Sequence, residues 1–75
     1  MAYFPIITPK RLLKILTRIG FEEIHRKGSH IVLRHQVDKR MTVVPFHCKD
    51  LPKGTLKGIL KDIGLDVEEL KKLIY

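Results

Sequence analysis

The segment from residue 22 to residue 44 leaves the chain few ways to fold. It holds three short strand candidates, at residues 22–26, 30–34 and 41–44, with only turn-like residues between them. The second and third candidates are rich in β-branched side chains, which favour strands. Such short connections suit antiparallel neighbours, because parallel strands need a crossover of roughly a dozen residues or more. The spacing therefore predicts a three-stranded antiparallel meander.

Helix signals stand on both sides of this meander. Thr8-Pro9 provides an N-cap residue followed by a proline suited to the first helical position, and Gly20 fits the position just after a helix end. Pro52 likewise suits a first helical turn, and Gly64 ends the second helix. Apolar residues recur at helical spacing in both segments: Leu12, Leu13, Leu16 and Ile19, then Leu56, Ile59, Leu60 and Ile63. Basic residues line the other side of the first helix: Lys10, Arg11, Lys14 and Arg18.

A third, short helix is predicted at the end of the chain. Asp66 and Glu69 have the spacing of a capping box, and the apolar residues that follow the cap face inward: Val67, Leu70, Leu73 and Ile74. The element order is thus α-β-β-β-α with an added C-terminal helix. This order predicts an α+β sandwich, with the helices on one face of the three-stranded antiparallel sheet.

Length and composition indicate a single small domain covering residues 1–75. A chain of 75 residues buries only about 60% of its unfolded surface, so its core is small. No apolar run approaches the roughly 18 residues of a membrane span, and the N-terminus does not resemble a signal peptide. A lone cysteine, Cys48, cannot form an internal disulfide, which indicates the reducing cytoplasm.

The basic charge is concentrated in one part of the chain. The net charge is +7, and residues 1–61 hold 13 Lys and Arg against 4 Asp and Glu, whereas residues 62–75 hold 2 against 4. In a small domain such an excess of positive charge points to nucleic acid or an acidic protein as partner, or it only keeps the protein soluble.

Four histidines fall in or beside the predicted sheet: His25, His30, His35 and His47. His30 has the most suggestive neighbours, because the cation, flexible backbone and hydroxyl of Lys27-Gly28-Ser29 precede it. If Gln36 lies opposite Met41 in the second hairpin, His30 lies opposite His47, and a slip by one residue places Phe46 there instead. Two imidazoles near one phosphate would suit acid–base cleavage of RNA, in which the 2′-hydroxyl is the nucleophile.

Cofactor chemistry finds little support in the sequence. His47-Cys48 could bind a metal together with His30 or His35, but the spacing matches no known metal-site pattern. No glycine-rich nucleotide-binding motif is present. We therefore expect neither a metal nor a small-molecule cofactor, and we interpret Cys48 as a structural or surface thiol.

Three lysines of the second helix, Lys53, Lys57 and Lys61, stand four residues apart and share one face. They form either an ordinary solvated face or a track for RNA phosphates near the positive end of the helix. Aromatic residues are few, and Tyr3 and Phe4 lie in the N-terminal arm, so a platform for stacking single-stranded bases is not indicated.

Several short motifs, in this order and at this spacing, resemble the HicA (YcfA-like) mRNA interferase toxins of toxin–antitoxin pairs. The residues that carry the resemblance are Gly20-Phe21, Lys27-Gly28-Ser29-His30, Val44-Pro45-Phe46-His47, Leu51-Pro52-Lys53-Gly54-Thr55-Leu56, Ile59-Leu60 and Gly64-Leu65. The resemblance implies a fold like that of double-stranded-RNA-binding domains and a cytoplasmic, metal-independent endoribonuclease that cleaves mRNA. It also implies that the essential histidine is His30 and that a HicB-like antitoxin covers the site.

In this interpretation His30 is catalytic, and the expected RNA-binding residues are Lys27, Gly28, Ser29, His47, Lys53 and Lys57. Two other functions fit the same charge. A non-catalytic RNA-binding module of the double-stranded-RNA-binding type would keep the lysines without needing His30. A protein-interaction module would use its basic face only to meet an acidic partner.

Overall fold

A computed structural model of the protein describes residues 4–47 and 49–74. The helices are α1 (Pro9–Arg18), α2 (Lys53–Ile63) and α3 (Val67–Ile74), and the strands are β1 (Phe21–Lys27), β2 (His30–His35) and β3 (Met41–Pro45). The strands form one antiparallel sheet in the order β1-β2-β3. The predicted element order, meander and α+β class are confirmed. The interpretations of Tyr3 and Cys48 concern positions outside the described residues.

Local capping chemistry fixes most helix ends where the sequence predicts them. The Thr8 side chain accepts a hydrogen bond from the Arg11 amide at 3.2 Å, and Pro9 is the first residue of α1. Asp66 and Glu69 form the reciprocal capping box, with backbone-to-carboxylate distances of 2.8 and 3.0 Å. One boundary differs. Pro52 has an extended ψ of 149°, so it caps α2 from outside and the helix begins one residue later.

The core lies between the sheet and the helices. Along β2, Ile31 and Leu33 are buried and point toward the helices, whereas His30 is exposed. The apolar stripe of α1 differs slightly from expectation, because Ile15 is buried while Leu13 and Ile19 are only partly so. The basic side chains of α1 are exposed as predicted. None of the helices in the described part of the chain has the length and apolarity that a membrane crossing requires.

The register of the β2–β3 hairpin differs from the prediction. His30 pairs with Pro45, rather than with His47 or Phe46, and Met41 pairs with Arg34 rather than with Gln36. The hairpin closes one residue earlier on each side, where the His35 amide donates to the Arg40 carbonyl at 2.8 Å. The residue opposite His30 is thus Pro45, two positions before the predicted His47. Because side chains along a strand alternate between the two faces of the sheet, a shift of two residues leaves every side chain on its predicted face.

His35 explains why the hairpin closes there. Its Nδ1 accepts the Val37 amide at 3.2 Å, and its Nε2 lies 3.0 Å from the Ile19 carbonyl, to which it donates. The Asp38 carboxylate also approaches this Nδ1, but it pairs with the Arg40 guanidinium at 2.8 Å, and that hydrogen bond lowers the pKa of Asp38. His35 is therefore a structural residue, with both ring nitrogens engaged.

Candidate active site

The turn between β1 and β2 presents the residues Lys27-Gly28-Ser29-His30, which we call the Lys27–His30 motif. Gly28 has φ 59°, in the left-handed region that favours glycine, and so permits the tight reversal. Lys27 and His30 are paired across the two strands. Paired residues on antiparallel strands point to the same face, so the ammonium and the imidazole both lie on the face away from the helices.

A backbone hydrogen bond extends β3 past its last pair and brings His47 to this turn. The Phe46 amide donates to the Ser29 carbonyl at 2.6 Å. The residue that follows therefore lies over the turn, and Ser29 Oγ is 3.0 Å from Nδ1 of His47. The expected closeness of His30 and His47 thus arises through Ser29, and not from direct pairing of the two residues.

The two imidazoles face each other at the surface. The ring centroids of His30 and His47 are 5.8 Å apart, with an interplanar angle of 63°. Both residues are exposed, and Ser29 between them is half-buried. Two rings at this separation can contact one phosphodiester group from different sides, each through a hydrogen bond of about 2.6–3.2 Å.

The cations beside the turn have different surroundings. Arg26 makes two hydrogen bonds to the Glu23 carboxylate, at 3.1 and 3.2 Å, and they lower the pKa of Glu23. Its guanidinium also lies 5.7 Å from the centre of the Phe46 ring. Over residues 4–47 and 49–74, the Lys27 side chain makes no hydrogen bond or ion pair, so its charge is available to a ligand. The sequence did not indicate the Arg26–Phe46 contact, which depends on the exact hairpin register.

Lys53 and Lys57 form a second basic group, on the first turns of α2. Their ammonium nitrogens lie 5.5 and 6.0 Å from the centre of the Phe4 ring, a distance at which cation–π attraction operates. The N-terminal arm is held nearby by a hydrogen bond from the Leu51 amide to the Ile7 carbonyl at 2.9 Å. The part of the chain that the structure describes shows no hydrogen bond or ring contact between these lysines and the Lys27–His30 motif.

Phe4 is a member of this group that sequence reasoning missed. An aromatic residue in an arm before α1 gives no local sign that it will meet lysines some fifty positions later. Both lysines remain exposed and share one face, as their spacing predicts. For metals, the described residues contain no group of three His, Cys, Asp or Glu side chains close enough to hold an ion.

A comparison with known protein families identifies the family to which the chain belongs. Residues 9–65 match a family model described as the HicA toxin of bacterial toxin–antitoxin pairs. The chain belongs to the HicA toxin family. No curated protein matches it significantly. The stretch matched to HicA includes the Lys27–His30 motif, His47, Lys53 and Lys57, and it stops before α3.

Proposed function

We propose that this HicA toxin is an mRNA endoribonuclease that acts in the cytoplasm, with His30 as a general acid or base. The observation that carries the proposal is the exposed His30 imidazole, which has Lys27 paired beside it and His47 5.8 Å away. A positioned proton-transfer group contributes about 10²–10⁴-fold to a rate. RNA supplies its own nucleophile, the 2′-hydroxyl, so the reaction requires no metal-activated water.

The rest of the motif is suited to holding a phosphate. Among the described residues other than Gly28 and its two chain neighbours, no atom lies within 4 Å of the position that a Gly28 Cβ would take, so a ligand can approach the backbone there. Lys27 supplies a positive charge on the same face as His30. In this proposal the Gly28–Ser29 backbone and Lys27 bind the phosphate and stabilise the charge that develops on it.

The products test this chemistry directly. Attack by the 2′-hydroxyl leaves a 2′,3′-cyclic phosphate on one fragment and a 5′-hydroxyl on the other. We expect these ends, found by mass spectrometry, in reactions that contain a chelator. A substrate with one 2′-deoxynucleotide on the 5′ side of a mapped cleavage point should resist cutting there and be cut as before elsewhere.

Other results would favour other functions. Cleavage that continues at the deoxynucleotide would contradict attack by the 2′-hydroxyl, and cleavage that stops when the chelator is added would contradict a metal-independent reaction. Tight RNA binding without any cleavage would indicate the non-catalytic RNA-binding module. Weak, non-specific RNA binding without cleavage would indicate the protein-interaction module.

We also propose that Lys53 and Lys57 bind RNA phosphates. Each phosphate contact on single-stranded RNA contributes about −0.7 to the slope of log affinity against log salt. The double variant Lys53→Ala/Lys57→Ala should therefore bind RNA more weakly, with a slope shallower by about 1.4. Titrations at several salt concentrations measure both quantities.

A control variant with the same loss of charge makes this test specific. Lys39 lies in the β2–β3 loop with φ 67°, and Lys72 is an exposed residue of α3. The variant Lys39→Asn/Lys72→Ala removes two charges elsewhere, and asparagine tolerates the left-handed conformation at position 39. If both variants lose the same RNA affinity and show the same change in salt slope, the contribution of Lys53 and Lys57 is one of net charge and not of phosphate contacts at these positions.

The partner is, in our proposal, an acidic HicB-like antitoxin that covers His30. The exposed Lys53 and Lys57 and the exposed Lys27–His30 motif offer an acidic protein a surface of complementary charge. Such complementarity mainly speeds association. Hydrogen exchange of the complex should show protection of the β1–β2 turn and of the start of α2. Protection confined to α3, with the turn still exchanging freely, would contradict this arrangement.

A further inference from the structure

We propose that His47 is the general acid of this site and that Ser29 is the residue that positions it. This inference rests on the proposed ribonuclease function, which leaves the group that protonates the departing oxygen unassigned. It starts from one contact, the 3.0 Å distance between Ser29 Oγ and Nδ1 of His47.

The contact suits a ring that starts protonated and ends neutral. In the imidazolium form both ring nitrogens are donors, and a serine hydroxyl can accept from one of them. Ser29 Oγ then accepts a hydrogen bond from the N–H group at Nδ1, and the proton on Nε2 is available for transfer to the substrate. After the transfer Nδ1 keeps its proton and its hydrogen bond, so the ring needs no rotation between the two states.

Ser29 is itself held in place. It is half-buried, and its carbonyl accepts the 2.6 Å hydrogen bond from the amide of Phe46, the residue before His47. One residue therefore anchors both the backbone and the ring of this segment. A side chain fixed by such contacts has fewer rotamers to lose when RNA binds.

His30 is complementary to this arrangement. In the described ranges its ring makes no hydrogen bond, which leaves its nitrogens open to accept the 2′-hydroxyl proton. Its centroid is 5.8 Å from that of His47, so the two rings can serve the attacking and the departing oxygen of one phosphodiester. His35 cannot fill either role, because both its nitrogens are engaged within the fold.

Two protons move while one bond at phosphorus forms and another breaks. His30 takes the proton from the 2′-hydroxyl as the O2′–P bond forms, and the P–O5′ bond breaks. Nε2 of His47 gives its proton to O5′, which leaves as a hydroxyl. His30 ends with one proton more and His47 with one fewer, and exchange with water restores both.

A substrate that needs no acid isolates this role. In RNA with a 5′-bridging sulfur at the cleavage point, the thiolate leaves without being protonated. We expect His47→Ala to cleave ordinary RNA about 10²–10⁴-fold more slowly than the wild type and to cleave the sulfur substrate at nearly the wild-type rate. His47→Gln, which keeps a polar side chain without a transferable proton, should behave in the same way. His30→Ala should be slow on both substrates.

Ser29 is tested with the same pair of substrates. Ser29→Ala should slow cleavage of ordinary RNA by less than His47→Ala does and recover on the sulfur substrate, whereas Ser29→Thr should retain activity because it keeps the hydroxyl. His25→Ala is the matched control, since His25 is also exposed on the sheet. It should leave both rates near those of the wild type.

The outcomes separate this inference from the proposed function. Equal losses by His47→Ala on the two substrates, or no loss on either, would overturn the role of His47 as the acid. A Ser29→Ala loss that the sulfur substrate does not relieve would overturn the positioning role. A wild-type protein that cleaves neither substrate would instead reject the ribonuclease function itself.

Discussion

His30→Ala should slow RNA cleavage severely and leave the protein folded. His30 is exposed at the start of β2, while its neighbour Ile31 is fully buried, so the imidazole adds little to the core. Substitutions at such surface positions usually change the free energy of unfolding by less than about 0.5 kcal/mol. Removing the proton-transfer group should lower the cleavage rate by about 10²–10⁴-fold. RNA affinity should persist, because Lys53 and Lys57 remain.

Initial cleavage rates, RNA titrations and denaturant unfolding of the same preparation measure the three quantities. His25→Ala is again the control, whereas His35 would be a poor one because its ring holds the hairpin. A folded His30→Ala protein that cuts RNA at the wild-type rate would remove this residue from the mechanism. A loss of several kcal/mol in stability would show that the imidazole has a packing role.

The largest effect on stability is expected at Phe21. Its side chain is only 1% exposed, meets the His35 ring edge-on at a centroid distance of 4.9 Å, and lies 5.4 Å from the Arg40 guanidinium. Phe21→Ala should lower the free energy of unfolding by about 3–5 kcal/mol. A chain of this length has a total free energy of unfolding of roughly 4–11 kcal/mol, so this single substitution removes a large share of the stability.

Phe46→Ala provides the comparison, because it deletes the same ring from a position that is 38% exposed. Its cost should be much smaller, since less apolar surface leaves the water when the protein folds. Chemical denaturation measures the free energy of unfolding of the wild type and both variants. The three free energies are comparable if they fall with denaturant concentration at the same slope. Equal destabilisation by the two substitutions would show that Phe46 packs as a core residue.

Features set by neighbouring residues were predictable from the sequence. The first residues of α1 and α3 follow from N-terminal capping contacts between residues three apart, Thr8 with Arg11 and Asp66 with Glu69. The faces of β2 follow from alternation, which places Ile31 and Leu33 inside and His30 outside. These signals act over one turn of helix or a few strand positions, so the rest of the chain hardly affects them.

Features set by distant contacts were not predictable in detail. The hairpin register depends on His35, whose ring receives the Val37 amide and reaches back to the end of α1. The contact of Phe4 with Lys53 and Lys57 joins residues about fifty positions apart and depends on where the arm lies beside α2. The Ser29–His47 hydrogen bond depends on that register and on one further backbone contact. No local sequence pattern predicts any of these three contacts.

The two ends of β2 have different tasks. At one end, His35 binds the carbonyl that ends α1, and the adjacent Arg40 donates to the Ile63 carbonyl at the end of α2. His30 lies at the other end, about 17 Å away at the usual rise per residue. The residues that hold the helices on the sheet, His35 and Arg40, are thus separate from the proposed RNA site. Substitutions around His30 and His47 are therefore expected to alter the proposed recognition of RNA or antitoxin without breaking the contacts that hold the helices on the sheet.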